Sequence, residues 1–104
     1  MTFSSKVDRA DGKLVFTPIG RVDAESVEDF TTAVVAAARE AKAAGVTLVV
    51  DLAQLPFMVS RGLRALTMAQ REGAAMKLAA PNAQMVEILK ISRYDKLFEI
   101  VDEA

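Results

Sequence analysis

A serine, a glycine and two arginines follow a hydrophobic segment in "LPFMVSRGLRAL" (Leu55–Leu66). Ser60 has a hydroxyl that can accept a phosphoryl group, and it stands where a helix is predicted to begin. A helix N-terminus offers free N–H donors and a partial positive charge, so a phosphate is tolerated there. Arg61 and Arg64 can pair with a phosphate, and Gly62 permits close approach of a partner's backbone. The same serine also suits the N-cap of the helix, which is the commoner role for a serine at this position.

Several residues around this segment have both a structural and a functional interpretation. Leu55, Pro56, Phe57 and Met58 are very apolar for a loop, and if exposed they form a docking patch. The commoner arrangement is expected instead, with Phe57 in the core and Met58 and Val59 only partly covered. Asp23 is expected to be the N-cap of the first helix, with a partner contact as the alternative. Asp51 ends a strand-like run and is expected to accept hydrogen bonds from N–H groups of the following loop.

The composition argues against an enzyme. The chain of 104 residues contains no histidine and no cysteine, so it lacks the usual general base, the commonest metal ligand and any thiol nucleophile. Its 13 basic residues are balanced by 14 acidic ones and never stand side by side, so no nucleic-acid-binding surface is predicted. We find no catalytic motif, and we predict a non-enzymatic protein without a metal or a cofactor.

The hydrophobic segments are too short for a membrane protein. The N-terminal "MTFSSKVDRADGK" lacks the apolar core of a signal peptide. The longest apolar run is Ala33–Ala38, far below the ~20 residues that span a bilayer. We therefore predict a cytoplasmic protein without membrane insertion, and its oligomeric state stays open.

Hydrophobic periodicity predicts strands alternating with helices. The fold class is therefore α/β, with a mixed, mostly parallel four- to five-stranded sheet, helices packed on it, and a single domain over residues 1–104. Leu97–Val101 is either a last strand or a helical end. The predicted strands are Thr2–Asp8, Lys13–Ile19, Val46–Leu52 and a short one through Met76–Leu78; the predicted helices follow Asp23, span Ser60–Glu72 and follow Asn82. Asn82 is the predicted N-cap of the third helix, and Gly45 is the predicted end of the first. The predicted inner face of the first helix comprises Val27, Phe30, Val34, Ala37 or Ala38, and Ala41.

Three segments carry a family resemblance: "GRVDAES" (Gly20–Ser26), "VVDLAQLPFMVSRGLRAL" (Val49–Leu66) and "VEILKISRYDKLFEI" (Val86–Ile100). The first is similar to a Gly-x-Leu-Asp motif before a first helix. The second is similar to a strand–loop–helix unit with Asp-Ser-Ser/Thr-Gly-Leu at the turn, and the third to a Gly-Leu-Asp-x-Leu-Phe-x-Ile close. Found in this order and at these separations, they resemble the STAS domains of anti-sigma factor antagonists over nearly the whole chain.

The resemblance implies a phosphorylation switch. In that family the serine two residues before the glycine, here Ser60, is phosphorylated by a partner kinase. The unphosphorylated domain binds an anti-sigma factor of the histidine-kinase-like ATPase fold, which is that serine kinase; the phosphorylated domain releases it, and a phosphatase resets the switch. The partner-binding surface implied here comprises Asp23, Met58, Val59, Ser60, Arg61, Gly62 and Arg64.

Departures from the family pattern keep other functions open. Val59 stands where the family has Asp, and Arg61 stands where it has a second Ser or Thr. The missing acid makes a second hypothesis credible: a STAS accessory subunit that docks on a membrane (lipid) transport ATPase without a phosphorylation cycle. An enzyme with its own chemistry is a third, less supported hypothesis.

Overall fold

The computed structural model describes residues 3–104, and strands alternate with helices after an initial hairpin. The sheet has five strands in the order β1-β2-β3-β4-β5; β1 runs antiparallel to β2, and the other neighbours are parallel. This confirms the predicted mixed, mostly parallel sheet. The elements are β1 (Ser4–Ala10), β2 (Lys13–Ile19), α1 (Val27–Ala44), β3 (Thr47–Asp51), α2 (Ser60–Gln70), β4 (Met76–Ala79), α3 (Ala83–Ile91) and β5 (Glu99–Val101), with a 3-10 turn at Tyr94–Lys96.

The two ends of the chain differ slightly from prediction. The first strand begins at Ser4 and continues to Ala10, two residues past the predicted end; Thr2 lies outside the described residues. The undecided segment Leu97–Val101 contains strand β5, because its residues from Glu99 onward pair in parallel with β4.

The core lies between the helices and one face of the sheet. Alternate residues of β2 and β3, including Phe16 and Val50, join a buried cluster with apolar side chains from all three helices. The inner face of α1 is the predicted one, and Gly45 ends this helix in the left-handed conformation with φ 70°. The buried residues of α1 are Val27, Phe30, Val34, Ala37, Ala38 and Ala41.

The parallel pairing of β2 with β3 positions the site. Because both strands run in the same direction, the loop from β2 to α1 and the loop from β3 to α2 both leave the sheet at the carboxyl ends of the strands. Asp51 accepts a hydrogen bond from the second loop, as expected: its Oδ1 lies 3.0 Å from the Ala53 N–H.

Candidate functional site

A short backbone ladder joins the two loops. Val22, after β2, and Met58, before α2, form an isolated parallel β-bridge. The Val22 N–H donates to the Phe57 carbonyl at 3.1 Å, and the Val59 N–H donates to the Val22 carbonyl at 2.9 Å. The start of α2 is therefore held against the first loop by the protein's own backbone.

This bridge reverses the expected burial of the loop side chains. Successive residues of an extended segment point to opposite sides, so Met58 points inward and is 2% exposed, whereas Phe57 is half-buried. The expectation that Met58 is only partly covered, and thus available to a partner, is wrong. Phe57 is not a core residue either; the Arg21 guanidinium lies over its ring, 4.6 Å from the centroid.

Gly62 is required by packing within the chain. A Cβ at this position would lie 2.4 Å from Cγ of Met58 and 2.9 Å from Cγ1 of Val22. The first turn of α2 therefore packs directly on the bridge, and only glycine allows that distance. Gly62 is itself buried, so the close approach that it permits is to its own chain, rather than to a partner as predicted.

Ser60 is the first residue of α2 and not its N-cap. The cap is Val59, whose extended backbone lets its carbonyl accept hydrogen bonds from the N–H groups of Gly62 (2.8 Å) and Leu63 (3.3 Å). The predicted capping role of Ser60 is therefore wrong. The bridge to the first loop holds Val59 in the extended conformation of an N-cap, so the helix already begins at Ser60. The Ser60 side chain is exposed, and its hydroxyl takes part in no hydrogen bond between residues 3–104.

Asp23 accepts backbone hydrogen bonds in the turn that precedes α1. Its Oδ1 accepts from the N–H groups of Glu25 (3.0 Å) and Ser26 (3.1 Å), and the Ser26 Oγ accepts from the Asp23 N–H (3.0 Å). The prediction that Asp23 is the N-cap of the first helix is therefore wrong, because Ser26 occupies that position and Asp23 caps the turn that leads into α1. The hydrogen bond from the Ser26 N–H, together with that from Glu25, lowers the pKa of the Asp23 carboxyl.

An open groove runs between α1 and α2 beside Ser60. Its volume is about 350 Å³. Arg61 and Glu28 face each other across it at 4.0 Å, but both side chains are mostly exposed, so this ion pair contributes little stability. The guanidinium groups therefore remain accessible to an anionic group. The lining residues are Val27, Glu28, Thr31, Thr32, Arg61, Arg64 and Met68.

The predicted site residues are thus only partly brought together. Of the predicted surface only Arg61 and Arg64 line the groove. The other predicted residues, which do not line it, are Asp23, Met58, Val59, Ser60 and Gly62. The contribution of α1 was missed, although Glu28, Thr31 and Thr32 follow one another at helical spacing on a polar stretch of this helix. Helical spacing alone places them on one face but does not say that this face borders α2.

The described residues show neither a membrane helix nor a metal cluster. No helix among them combines the length and the apolar character needed to cross a bilayer. No three acidic side chains among residues 3–104 gather closely enough to hold a metal ion.

Comparisons with known proteins agree with this architecture. A family model described as "Mlab, STAS domain" matches residues 5–102. No curated protein matches significantly.

Among solved structures, an anti-sigma factor antagonist from Mycobacterium paratuberculosis is 22% identical, with a TM-score of 0.80 over 96% of this chain and 86% of that one. An antisigma-factor antagonist STAS domain from Rhodobacter sphaeroides is 28% identical, with a TM-score of 0.56 over 82% of this chain and 89% of that one. The Bacillus cell fate determinant SpoIIAA, in its phosphorylated form, is 19% identical, with a TM-score of 0.61 over 93% of this chain and 90% of that one.

The family model covers nearly the whole chain, and the fold of the sheet and its helices is that of the solved relatives. The chain therefore belongs to the STAS-domain family.

Proposed function

We propose that this chain is a cytoplasmic anti-sigma factor antagonist, acting as one STAS domain over residues 1–104 and regulated by phosphorylation of Ser60. The observation that carries the proposal is the state of this serine. Its hydroxyl is exposed at the first residue of α2 and is not used in any hydrogen bond within the described chain. A kinase can therefore reach it without breaking a structural contact.

The surroundings of Ser60 fit a phosphate. The first N–H groups of α2 and the helix dipole favour a negative charge at this end. Arg64 is one helical turn further along α2, and Arg61 is adjacent, so both guanidinium groups are within reach of a phosphoserine. The modified domain is thus expected to keep its fold while it gains about −1.5 to −2 charges on this surface.

The partner surface that we propose is smaller than the sequence suggested. Its exposed or half-exposed members are Asp23, Val59, Ser60, Arg61 and Arg64, with Met58 and Gly62 beneath them as packing. The partner is an anti-sigma factor of the histidine-kinase-like ATPase fold, which is also the kinase, and a phosphatase removes the phosphate. The phosphate draws Arg61 and Arg64 away from the partner and adds negative charge that the interface must desolvate, so phosphorylation causes release.

The comparisons support this proposal at the level of the fold. Solved relatives are titled anti-sigma factor antagonists, and the Bacillus relative was solved in a phosphorylated form. These are properties of those proteins, and they motivate the experiment on Ser60 in this one.

The deciding experiment is affinity capture from the host lysate with wild type, Ser60→Ala and Ser60→Asp as baits, followed by mass spectrometry. We expect a histidine-kinase-like ATPase to be retained by wild type and Ser60→Ala and lost from Ser60→Asp. The purified ATPase should then phosphorylate wild type with ATP but not Ser60→Ala. Ser5→Ala, which removes an exposed serine on β1, is the matched control and should be phosphorylated normally.

A second function is favoured by a separate observation. The cap of α2 is the apolar Val59, so the residue before Ser60 is not an acidic one that would help a kinase recognise it, and the matching family model is the one described as Mlab. In this alternative the same surface docks constitutively on a membrane transport ATPase. Retention of such an ATPase by all three baits, without phosphorylation of Ser60, would establish the alternative and reject the switch.

A further inference from the structure

Strand β1 is an open edge of the sheet. All of its residues, Ser4–Ala10, are exposed, and on its inner side it pairs one-to-one with β2 without a bulge. The strand contains no proline. Long, regular edges of this kind present unpaired backbone groups that another strand can join.

The pairing of β2 shows which backbone groups of β1 are open. The Thr47 N–H donates to the Gly12 carbonyl at 3.2 Å, so the backbone at this position faces β3. Backbone groups alternate in direction along a strand, so the residues of β2 two and four positions later also face β3. Their partners in β1 are Arg9 and Val7, which therefore point their N–H and C=O groups away from β2. By the same alternation, the N–H and C=O groups of Ser5 also point away from β2.

We propose that a second copy of this chain pairs with β1, edge to edge and antiparallel, about a two-fold axis at Val7. In this register Val7 lies opposite Val7 of the second copy, and Ser5 lies opposite Arg9. Every outward N–H and C=O of these three residues then has a partner. Between them Lys6 lies directly opposite Asp8 of the second copy, and Asp8 opposite Lys6. Neither side chain forms an ion pair with another of the described residues.

Charge selects this register among those that match the open backbone groups. An axis at Lys6 would place two lysines opposite each other, and an axis at Asp8 would place two aspartates opposite each other. An axis at Arg9 would do the same with two arginines. Like charges directly opposite are unfavourable, whereas opposite charges stabilise a strand pair. An axis at Ser5 avoids like charges but uses only part of the strand. Only the axis at Val7 pairs all of β1, with its charges complementary.

The rest of the molecule leaves room for this arrangement. Strands in a sheet are ~4.8 Å apart, so the two copies of β2 would be ~14 Å apart. α1 packs mainly over β2 and β3, and it reaches β1 through the ion pair between Arg9 and Glu40 at 3.5 Å. The two α1 helices therefore stay well beyond the 8–10 Å of packed helices. Ser60 lies beyond the carboxyl ends of β2 and β3, away from the β1 edge, so the dimer and the proposed switch are independent.

The first test uses charge reversal at exposed positions. Sedimentation equilibrium of wild type from about 10 µM to about 1 mM should show a monomer–dimer equilibrium, because a small edge interface is weak. Lys6→Asp and Asp8→Lys should each weaken dimerisation by roughly tenfold, since symmetry makes each substitution act twice. An equimolar mixture of the two variants should form heterodimers, and the double variant Lys6→Asp/Asp8→Lys should dimerise like wild type.

The second test reads the register directly. The chain has no cysteine, so one introduced thiol is unique. Val7→Cys should form a disulfide dimer under mild oxidation, because opposed residues have Cα atoms about 5.5 Å apart. Ser5→Cys should not, because its two copies would be roughly 13 Å apart along the strands.

The proposal is overturned if wild type stays monomeric over this concentration range, or if it dimerises and the single reversals leave the dimer unchanged. It is equally overturned if Ser5→Cys cross-links as fast as Val7→Cys. Circular dichroism of each variant shows whether it is folded, and the mixture of the two single variants restores the charge pairing without a further substitution.

Discussion

Helices α2 and α3 begin in contrasting ways. At α3, the Asn82 Oδ1 accepts a hydrogen bond from the Met85 N–H at 2.8 Å, as the sequence predicts. At α2, the cap is Val59, whose side chain accepts no hydrogen bond, and the neighbouring Ser60 hydroxyl is left unused. A helix start normally gains about 1 kcal/mol from a side-chain cap. The start of α2 forgoes this gain, and it is held in place by the backbone bridge between Val22 and Met58 instead.

The difference separates two tasks. The start of α3 only has to begin a helix, and the Asn82 side chain does this locally. For the proposed switch, the start of α2 has to be rigid while it presents an unoccupied hydroxyl and two arginines to solvent. A backbone bridge achieves both, because it fixes the first turn without consuming the serine.

The largest effect is expected where the bridge meets α2. Gly62→Ala should lower the free energy of unfolding by about 1–3 kcal/mol, because the new Cβ overlaps Met58 and Val22. In a Met58→Ala background the same substitution should be neutral or stabilising, since alanine has the higher helix propensity and the obstacle is smaller. Urea unfolding of all four proteins measures this coupling. An equal cost of Gly62→Ala in both backgrounds would show that Met58 is not the obstacle.

The next largest change in stability is expected from removing the side-chain cap of α3, in contrast to the same test at the start of α2. Asn82→Ala should cost about 1 kcal/mol of stability, since it removes the acceptor for the Met85 N–H. Ser60→Ala should change stability by less than about 0.5 kcal/mol, because no hydrogen bond is lost. Thermal unfolding of the two variants beside wild type makes the comparison. Similar losses in both would mean that Ser60 does cap α2 in solution.

A smaller effect is expected from a charge at the start of α2. Ser60→Asp should stabilise the isolated domain by about 0.3–1 kcal/mol at low salt, because the helix dipole and the nearby arginines favour an anion there. Ser60→Asn, of the same shape but uncharged, is the matched control. The gain over this control should shrink in high salt. A destabilised Ser60→Asp would argue that a phosphate is not tolerated at this residue.

The smallest effect concerns Asp23 and pH. Its pKa is lowered in the folded state by the hydrogen bonds from the Ser26 and Glu25 N–H groups. The carboxylate therefore contributes stability above its unfolded pKa of about 3.9, and this contribution is lost as pH falls through the folded value. The melting temperature of wild type relative to Asp23→Asn should fall between about pH 5 and pH 3. The same dependence on pH in wild type and Asp23→Asn would exclude Asp23 as the cause.

The features that could be predicted from sequence are those held by interactions between residues close together in the chain. The cap at Asn82, the stop at Gly45 and the inner face of α1 depend on residues within one or two helical turns, and they were read correctly. Met58 and Ser60 were misread because the bridge to Val22 joins residues 36 positions apart (58 − 22). That bridge turns Met58 inward and moves the cap to Val59.

The alternation of strands and helices, the family, and the serine and two arginines at the start of α2 can all be predicted from the amino-acid sequence. Periodicity and local turn chemistry suffice for these, because they act between near neighbours. Three features could be seen only in the folded chain: the Ser60 hydroxyl makes no hydrogen bond within residues 3–104, Gly62 packs on its own chain, and α1 supplies one wall of the groove. These depend on which segments the sheet brings together, and the free energy of those long-range contacts leaves no local signature in the chain.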